Sequence, residues 1–264
     1  MEKPLSDYRS LVTVGMIAAA LLCTSKSAIG QPELTARADS LAKAGADVLL
    51  VADAYTDAWQ YEKALTALEI SGRKDAPALW RKARACVDIA EGLKNDDALN
   101  LNEKAVSMAT KAVRLDSTSA DAQQMLAIAM GRMAIYKGVF ANISLVKEIH
   151  TTALKALSLD DSLYRCCYII GRLNQELINK PGFALKMLGI DWATEDSVIY
   201  YYDKALKLNP SLIQTRVRYA EFLKRHKQSP DKVIRLLDEA LALPITDEQD
   251  VRAKEDARAL KAKL

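Results

Sequence analysis

The side chains best placed for chemistry are a set of arginines spaced along successive helical segments: Arg81, Arg132, Arg165 and Arg172, accompanied by Gln124, Tyr168 and Lys224. A guanidinium grips a carboxylate or phosphate with two parallel hydrogen bonds, so a row of them on one surface suits an anionic or acidic partner. The same spacing also permits a second reading, in which these arginines pair internally with Asp88, Glu176 and Glu221. Other reactive types are sparse. His150 and His226 are the only histidines and lie in different segments, where a helix-surface role fits each better than metal ligation. Cys86, Cys166 and Cys167 show neither CxxC nor zinc-ligand spacing, and on apolar helix faces they read as buried free thiols. There is no Gly-rich phosphate loop, no Gly-x-Ser-x-Gly and no His-Glu-x-x-His. Paired acids such as Asp96-Asp97 and Asp160-Asp161 stand at turns, where capping explains them. The sequence therefore predicts a non-enzymatic protein with no cofactor and no metal.

The elements that must carry the arginines repeat. A second helix ending in Ala-Leu-x-Leu-Asp/Asn, or a close variant, recurs at Ala112–Asp116, Ala156–Asp160, Ala205–Asn209 and Ala240–Pro244. The preceding helices share one spacing of large, apolar, small and large residues. Val48, Val51, Ala52 and Tyr55 show it; so do Gln123, Leu126, Ala127 and Met130, and Cys167, Ile170, Gly171 and Asn174. Small residues at fixed places let helix backbones approach closely, which a repeat array needs and an ordinary bundle has no reason to repeat. The fold class predicted is all-α: a tetratricopeptide-like solenoid of about five helix pairs with a C-terminal capping helix. Its departures from regularity are insertions. Ala64, Ala105, Ile149, Val198 and Val233 occupy equivalent positions, 41, 44, 49 and 35 residues apart, against about 34 for a strict tetratricopeptide repeat. The extra residues fall at Gly92–Leu99, Tyr136–Asn142 and Asn179–Glu195. The last is apolar enough to predict a short helix packed back on the array.

Several segments resemble the regulator of microtubule dynamics family. Leu79-Trp80-Arg81-Lys82-Ala83-Arg84-Ala85 is similar to its Trp-Arg-x-Ala-Arg segment, and Val146-Lys147-Glu148-Ile149-His150 to its Lys-Glu-His stretch. Ile170-Gly171-Arg172 matches its Leu-Gly-Arg, although Leu173 stands where a Trp usually follows. The tyrosine-rich Ile199–Asn209 and the closing Leu243–Glu248 also fit. The resemblance runs from Tyr55 to Asp250 and implies a tetratricopeptide-like scaffold that binds protein partners. Animal members are associated with microtubules or with lipid handling at organelle contacts. No catalytic motif comes with the resemblance.

At the amino terminus Lys3 and Arg9 precede an apolar Leu11–Cys23 stretch and a small-residue Ala28-Ile29-Gly30 end. That is the tripartite pattern of a secretory signal, too short in its apolar part to span a bilayer comfortably. The expected organisation is a signal peptide over 1–30 and a tetratricopeptide-like domain over 31–264, exported to the periplasm or cell envelope, with an uncleaved membrane anchor as the competing reading. Formal net charge is +3. Loss of Lys3, Arg9, Lys26, Glu2 and Asp7 would leave it at +2, which suggests neither nucleic acid nor a strongly charged membrane surface.

The expected function is binding of a protein or peptide in the concave groove. In such a stack the first helix of each pair lines that side, and helical spacing turns Arg81, Gln124, Arg132, Arg165, Tyr168, Arg172 and Lys224 toward it. The alternative is a lipid or small-amphiphile carrier, with Phe183–Trp192 and Tyr200–Tyr202 as a lid. The final segment, Thr246–Leu264, reads as a capped helix that closes the array and contributes stability rather than binding.

Overall fold

A computed structural model describes residues 32–138 and 142–264. The predicted signal segment, with the proposed boundary at residue 31, lies outside the described residues. The described chain forms thirteen helices: α1 Pro32–Lys43, α2 Val48–Asp57, α3 Tyr61–Ile70, α4 Ala76–Glu91, α5 Asn95–Leu115, α6 Ala120–Lys137, α7 Ile143–Leu159, α8 Tyr164–Leu177, α9 Gly182–Met187, α10 Glu195–Leu208, α11 Ile213–Arg225, α12 Pro230–Ala242 and α13 Glu248–Lys261. None is long and apolar enough to cross a membrane.

Five pairs follow the repeat: α2/α3, α4/α5, α6/α7, α8/α10 and α11/α12. The first helices α2, α4, α6, α8 and α11 pack on one another in series and form the inner layer, while their partners lie outside. Small residues make that layering possible. Ala52, Ala127 and Ala220 are buried at their crossings, as are Ala64, Ala105, Ala153, Ala205 and Ala240 in the outer helices. Gly171 meets the ring of Tyr202 so closely that an added Cβ would lie 2.9 Å from it.

The recurring Asp/Asn after each Ala-Leu-x-Leu has a local cause. Asp116, Asp160 and Asn209 leave the helix in extended conformation. Each side chain then accepts the backbone N–H two residues on, from Thr118, Ser162 and Ser211, at 3.0, 2.9 and 2.9 Å. These Asx turns stop one helix and aim the chain into the next.

The insertions become structure. The first lengthens α5, which already begins at Asn95. The longest forms α9 and a tight turn at Gly189, whose φ of +64° favours glycine. Leu185 and Ile190 from it enter the core, whereas Phe183 and Met187 are 72% and 83% exposed. Trp192 stacks flat on His150, ring centroids 3.6 Å apart. α13 packs on α11 and α12, burying Ala253 and Ala257 beside Phe222 and Leu237.

Candidate functional site

The inner layer lines a cavity of about 680 Å³ on its concave side. Its apolar wall comes from Val87 on α4, Ile128 on α6, Ile149 on α7 and Leu173 on α8, all joined to the central core. Its polar wall brings together Arg84 and Asp88 from α4, Arg132 from α6, and Arg165, Tyr168, Arg172 and Glu176 from α8. These last residues recur along α8 at helical spacing, so one face of that helix carries them.

The arginines are not equivalent. Arg172 pairs with Glu176 at 2.7 Å, Arg132 with Glu91, and Arg84 lies 3.7 Å from Asp88. At that distance the buried Arg84 Nε has no hydrogen-bond partner. Among the described residues Arg165 makes no ion pair; its guanidinium lies 5.9 Å from the Tyr164 ring. Both readings of the row are thus present together: most members pair internally, while Arg165 stands near Tyr164, Asp88 and Asp247 without an ion pair. Burial holds the carboxyls of Asp88 and Glu91 above the ordinary carboxylate range, against the pull of the neighbouring arginines.

Of the residues singled out by spacing, Arg132, Arg165, Tyr168 and Arg172 line the cavity, whereas Arg81, Gln124 and Lys224 do not. Arg81 sits on the Trp80 ring, 4.0 Å from its centroid, and grips Asp53 of α2. Its Nε donates to both carboxylate oxygens at 2.9 and 3.0 Å, and Nη2 to one at 2.8 Å. Arg84, one helical turn on, takes the inward position instead. Lys224 donates to the carbonyl of Lys263 at 2.7 Å. The segments considered as a lid do not close this cavity: Phe183–Trp192 and Tyr200–Tyr202 are absent from its lining, and Tyr202 is buried against Gln175.

One part of the wall has no local sequence signature. Thr246, Asp247, Gln249 and Asp250, from the turn before α13 and its first turn, line the cavity opposite Trp59 and Tyr61. Trp59 Nε1 donates to the Thr246 carbonyl at 3.0 Å, Arg132 to Gln249 Oε1 at 3.2 Å, and Arg252 to the Glu91 carbonyl at 2.9 Å. The solenoid curls until the turn of its first pair meets the start of α13 across the groove. α13 therefore caps the last pair, as its polar face predicted, and also reaches into the concave side, which the reading of a purely stabilising helix left out. Among the described residues no group of three or more His, Cys, Asp or Glu side chains is placed to hold a metal ion.

Comparison with known proteins bears on this architecture. The sequence model of the family described as Regulator of microtubule dynamics protein 1-3 matches residues 44–264. Regulator of microtubule dynamics protein 1 of Bos taurus is 25% identical over 173 residues, which are 62% of this chain and 55% of the relative. The chain thus spans about half the length of the curated relative it matches. Among solved structures, TTC0263, a thermophilic TPR protein of Thermus thermophilus, aligns with a TM-score of 0.58 at 16% identity. That alignment covers 81% of this chain and 97% of the other. At such identity the likeness bears on the fold alone, a tetratricopeptide-type helical repeat.

Proposed function

The chain belongs to the Regulator of microtubule dynamics protein 1-3 family, and from that premise we propose that it is a non-catalytic scaffold whose concave groove binds a segment of a protein partner. The observation that carries this reading is Arg165. It stands in the groove wall without an ion pair, beside Tyr168 and next to an apolar wall that continues into the core. A guanidinium held there loses water while Asp88 and Asp247 stand near it without forming an ion pair, so an incoming carboxylate meets a charge already oriented for it. The apolar wall supplies the burial that a purely electrostatic site lacks. Microtubule regulation, named for the bovine relative, is not part of this proposal. The basic, apolar and small-residue order of residues 1–30 remains the ground for proposing export. The test is a photo-crosslinking amino acid at Tyr168 in cells. A defined crosslinked partner that disappears on Arg165→Ala is the expected outcome. No crosslinked protein, or the same products with and without Arg165, would overturn the reading.

A further inference from the structure

The groove already holds a piece of this chain. Thr246, Asp247, Gln249 and Asp250 stand in its wall, held by Trp59, Arg132 and the Arg252–Glu91 contact. Resting on the groove-binding reading, we propose that Thr246–Arg252 is an intramolecular ligand of the groove. A partner enters by displacing it, and that partner is an acidic segment that opens a helix.

Three features of the strap support displacement. First, its hold on the opposite wall is polar. The apolar anchors of α13, Ala253 and Ala257, go to the α11–α12 core, and Val87, Ile128 and Leu173 belong to a separate cluster. A contact made of a few hydrogen bonds opens at far lower cost than interdigitated side chains. Second, the strap is internally satisfied. Asp247 and Asp250 form a reciprocal capping box, and Asp250 also accepts from the Thr246 amide and hydroxyl, both at 2.9 Å. It can leave the groove without exposing an unpaired helix start. Third, its charge matches the wall. Asp247 stands near Arg165 in the cavity wall, while Asp88 beside them limits how firmly an acid is held. Burial together with Asp250 raises the Asp247 carboxyl, and Arg165 opposes the rise. The groove beside the strap remains open, so a longer segment of the same kind has room to extend past it.

Covalent attachment gives the strap an effective concentration on the order of millimolar, so it competes strongly with any free segment of equal intrinsic affinity. The probe is a fluorescein-labelled peptide with the sequence of Leu243–Arg252, and the readout is anisotropy with the full chain. The Gln249→Ala, Arg252→Ala double variant, which loses two strap-side contacts and leaves the groove wall intact, is expected to bind the peptide at least about tenfold more tightly than wild type. Adding Arg165→Ala is expected to remove that gain. Equal affinities, no binding to either protein, or a gain that survives loss of Arg165 would each overturn the proposal. Hydrogen exchange on wild type gives a second reading that needs no variant. The Asp247–Asp250 amides should exchange at least several-fold faster than those of Ala253–Leu260, because a few hydrogen bonds hold the strap while Ala253 and Ala257 anchor the helix behind it in the core. Exchange of α13 and the strap as one unit would overturn the proposal. The crosslink from Tyr168 judges the groove-binding reading separately, since neither the peptide nor the exchange result depends on finding a cellular partner.

Discussion

Trp59 and Thr246 are 187 residues apart in sequence and joined by one hydrogen bond of 3.0 Å between an indole N–H and a backbone carbonyl. Trp59 makes it from a left-handed backbone, φ +59°, immediately past α2, where glycine is the usual occupant. A side chain of this size in that region costs about 1–3 kcal/mol. From that position the indole closes the groove against the Thr246 carbonyl. Trp59→Phe keeps the backbone and most of the ring but removes the donor. Stability by urea denaturation should fall by about 0.5–1.5 kcal/mol, with faster exchange at the Asp247–Asp250 amides. Unchanged stability and exchange would show that the bond closes nothing.

Gly171 and Tyr202 meet at a tight crossing between α8 and α10. A methyl group on Gly171 would meet Cδ1 and Cε1 of a fully buried ring at 2.9 Å. The ring has little freedom to yield, since its hydroxyl is bonded to Gln175 and its other face meets Tyr219 at 5.4 Å. Gly171→Ala should destabilise by about 1–3 kcal/mol. Tyr202→Leu in the same chain should recover part of that loss, giving a double-mutant coupling well away from zero. Strict additivity would mean the two residues do not meet.

The repeat was legible because its causes are local. Asp116, Asp160 and Asn209 signal their turns within two residues, and the small positions at Ala127, Gly171 and Ala220 recur at helical spacing. The same spacing placed Arg132, Arg165 and Arg172 on the inner surface. It failed at Arg81, three residues from Arg84 and nearly on the same face, because which of the two points inward depends on how α2 presents Asp53. Only tertiary packing fixes that. The strap was beyond reach for a different reason. Thr246–Asp250 announces itself as a helix start, but its place opposite Trp59 depends on the summed rotation of five pairs. A small change in twist per repeat would carry it out of the groove.

Arg81 supplies a contrast that separates a structural from a binding arginine. Its three donor contacts to Asp53 and its stacking on Trp80 tie α4 to α2, outside the cavity lining. Arg81→Ala should lower stability by about 1 kcal/mol, because the pair is bidentate yet partly exposed. Partner capture through Tyr168 should be unaffected, while Arg165→Ala does the opposite. Loss of crosslinking in Arg81→Ala at unchanged stability would reverse the two roles.

The three described thiols are buried and free. Burial pushes Cys86 up to about 11 and Cys166 up to about 12, and raises Cys167 as well. Thiolate is the reactive form, so these residues combine poor access with almost no nucleophile at neutral pH. Native protein treated with iodoacetamide at about pH 7.5 should remain unlabelled at all three for hours, and each should label within minutes in urea, as read by peptide mass spectrometry. Rapid native labelling at Cys166 or Cys167 would mean that the α8–α10 packing opens readily.

His150 gives a pH dependence of stability whose sign follows from its burial. Burial lowers its pKa to about 4 from an ordinary value near 6.5. The unfolded chain therefore binds a proton at this site more readily than the folded one. The stabilisation is complete above about pH 6.5, is lost progressively as pH falls toward about 4, and changes no further below that. With the ring partly exposed, the loss should be about 1–2 kcal/mol rather than the full value of the shift. Asp88, Glu91 and Asp247 act in the opposite direction. Their raised pKa values mean that the folded state takes up protons first, so acidification relieves a cost present at neutral pH. His150→Phe preserves a flat ring against Trp192 and leaves every carboxylate in place, so the difference between variant and wild type isolates the imidazole. In denaturant titrations the two should have similar stability at about pH 8, and the variant should be the more stable by about 1–2 kcal/mol at about pH 4. Curves that stay parallel across that range would show that His150 is protonated as easily in the folded protein as in the unfolded chain.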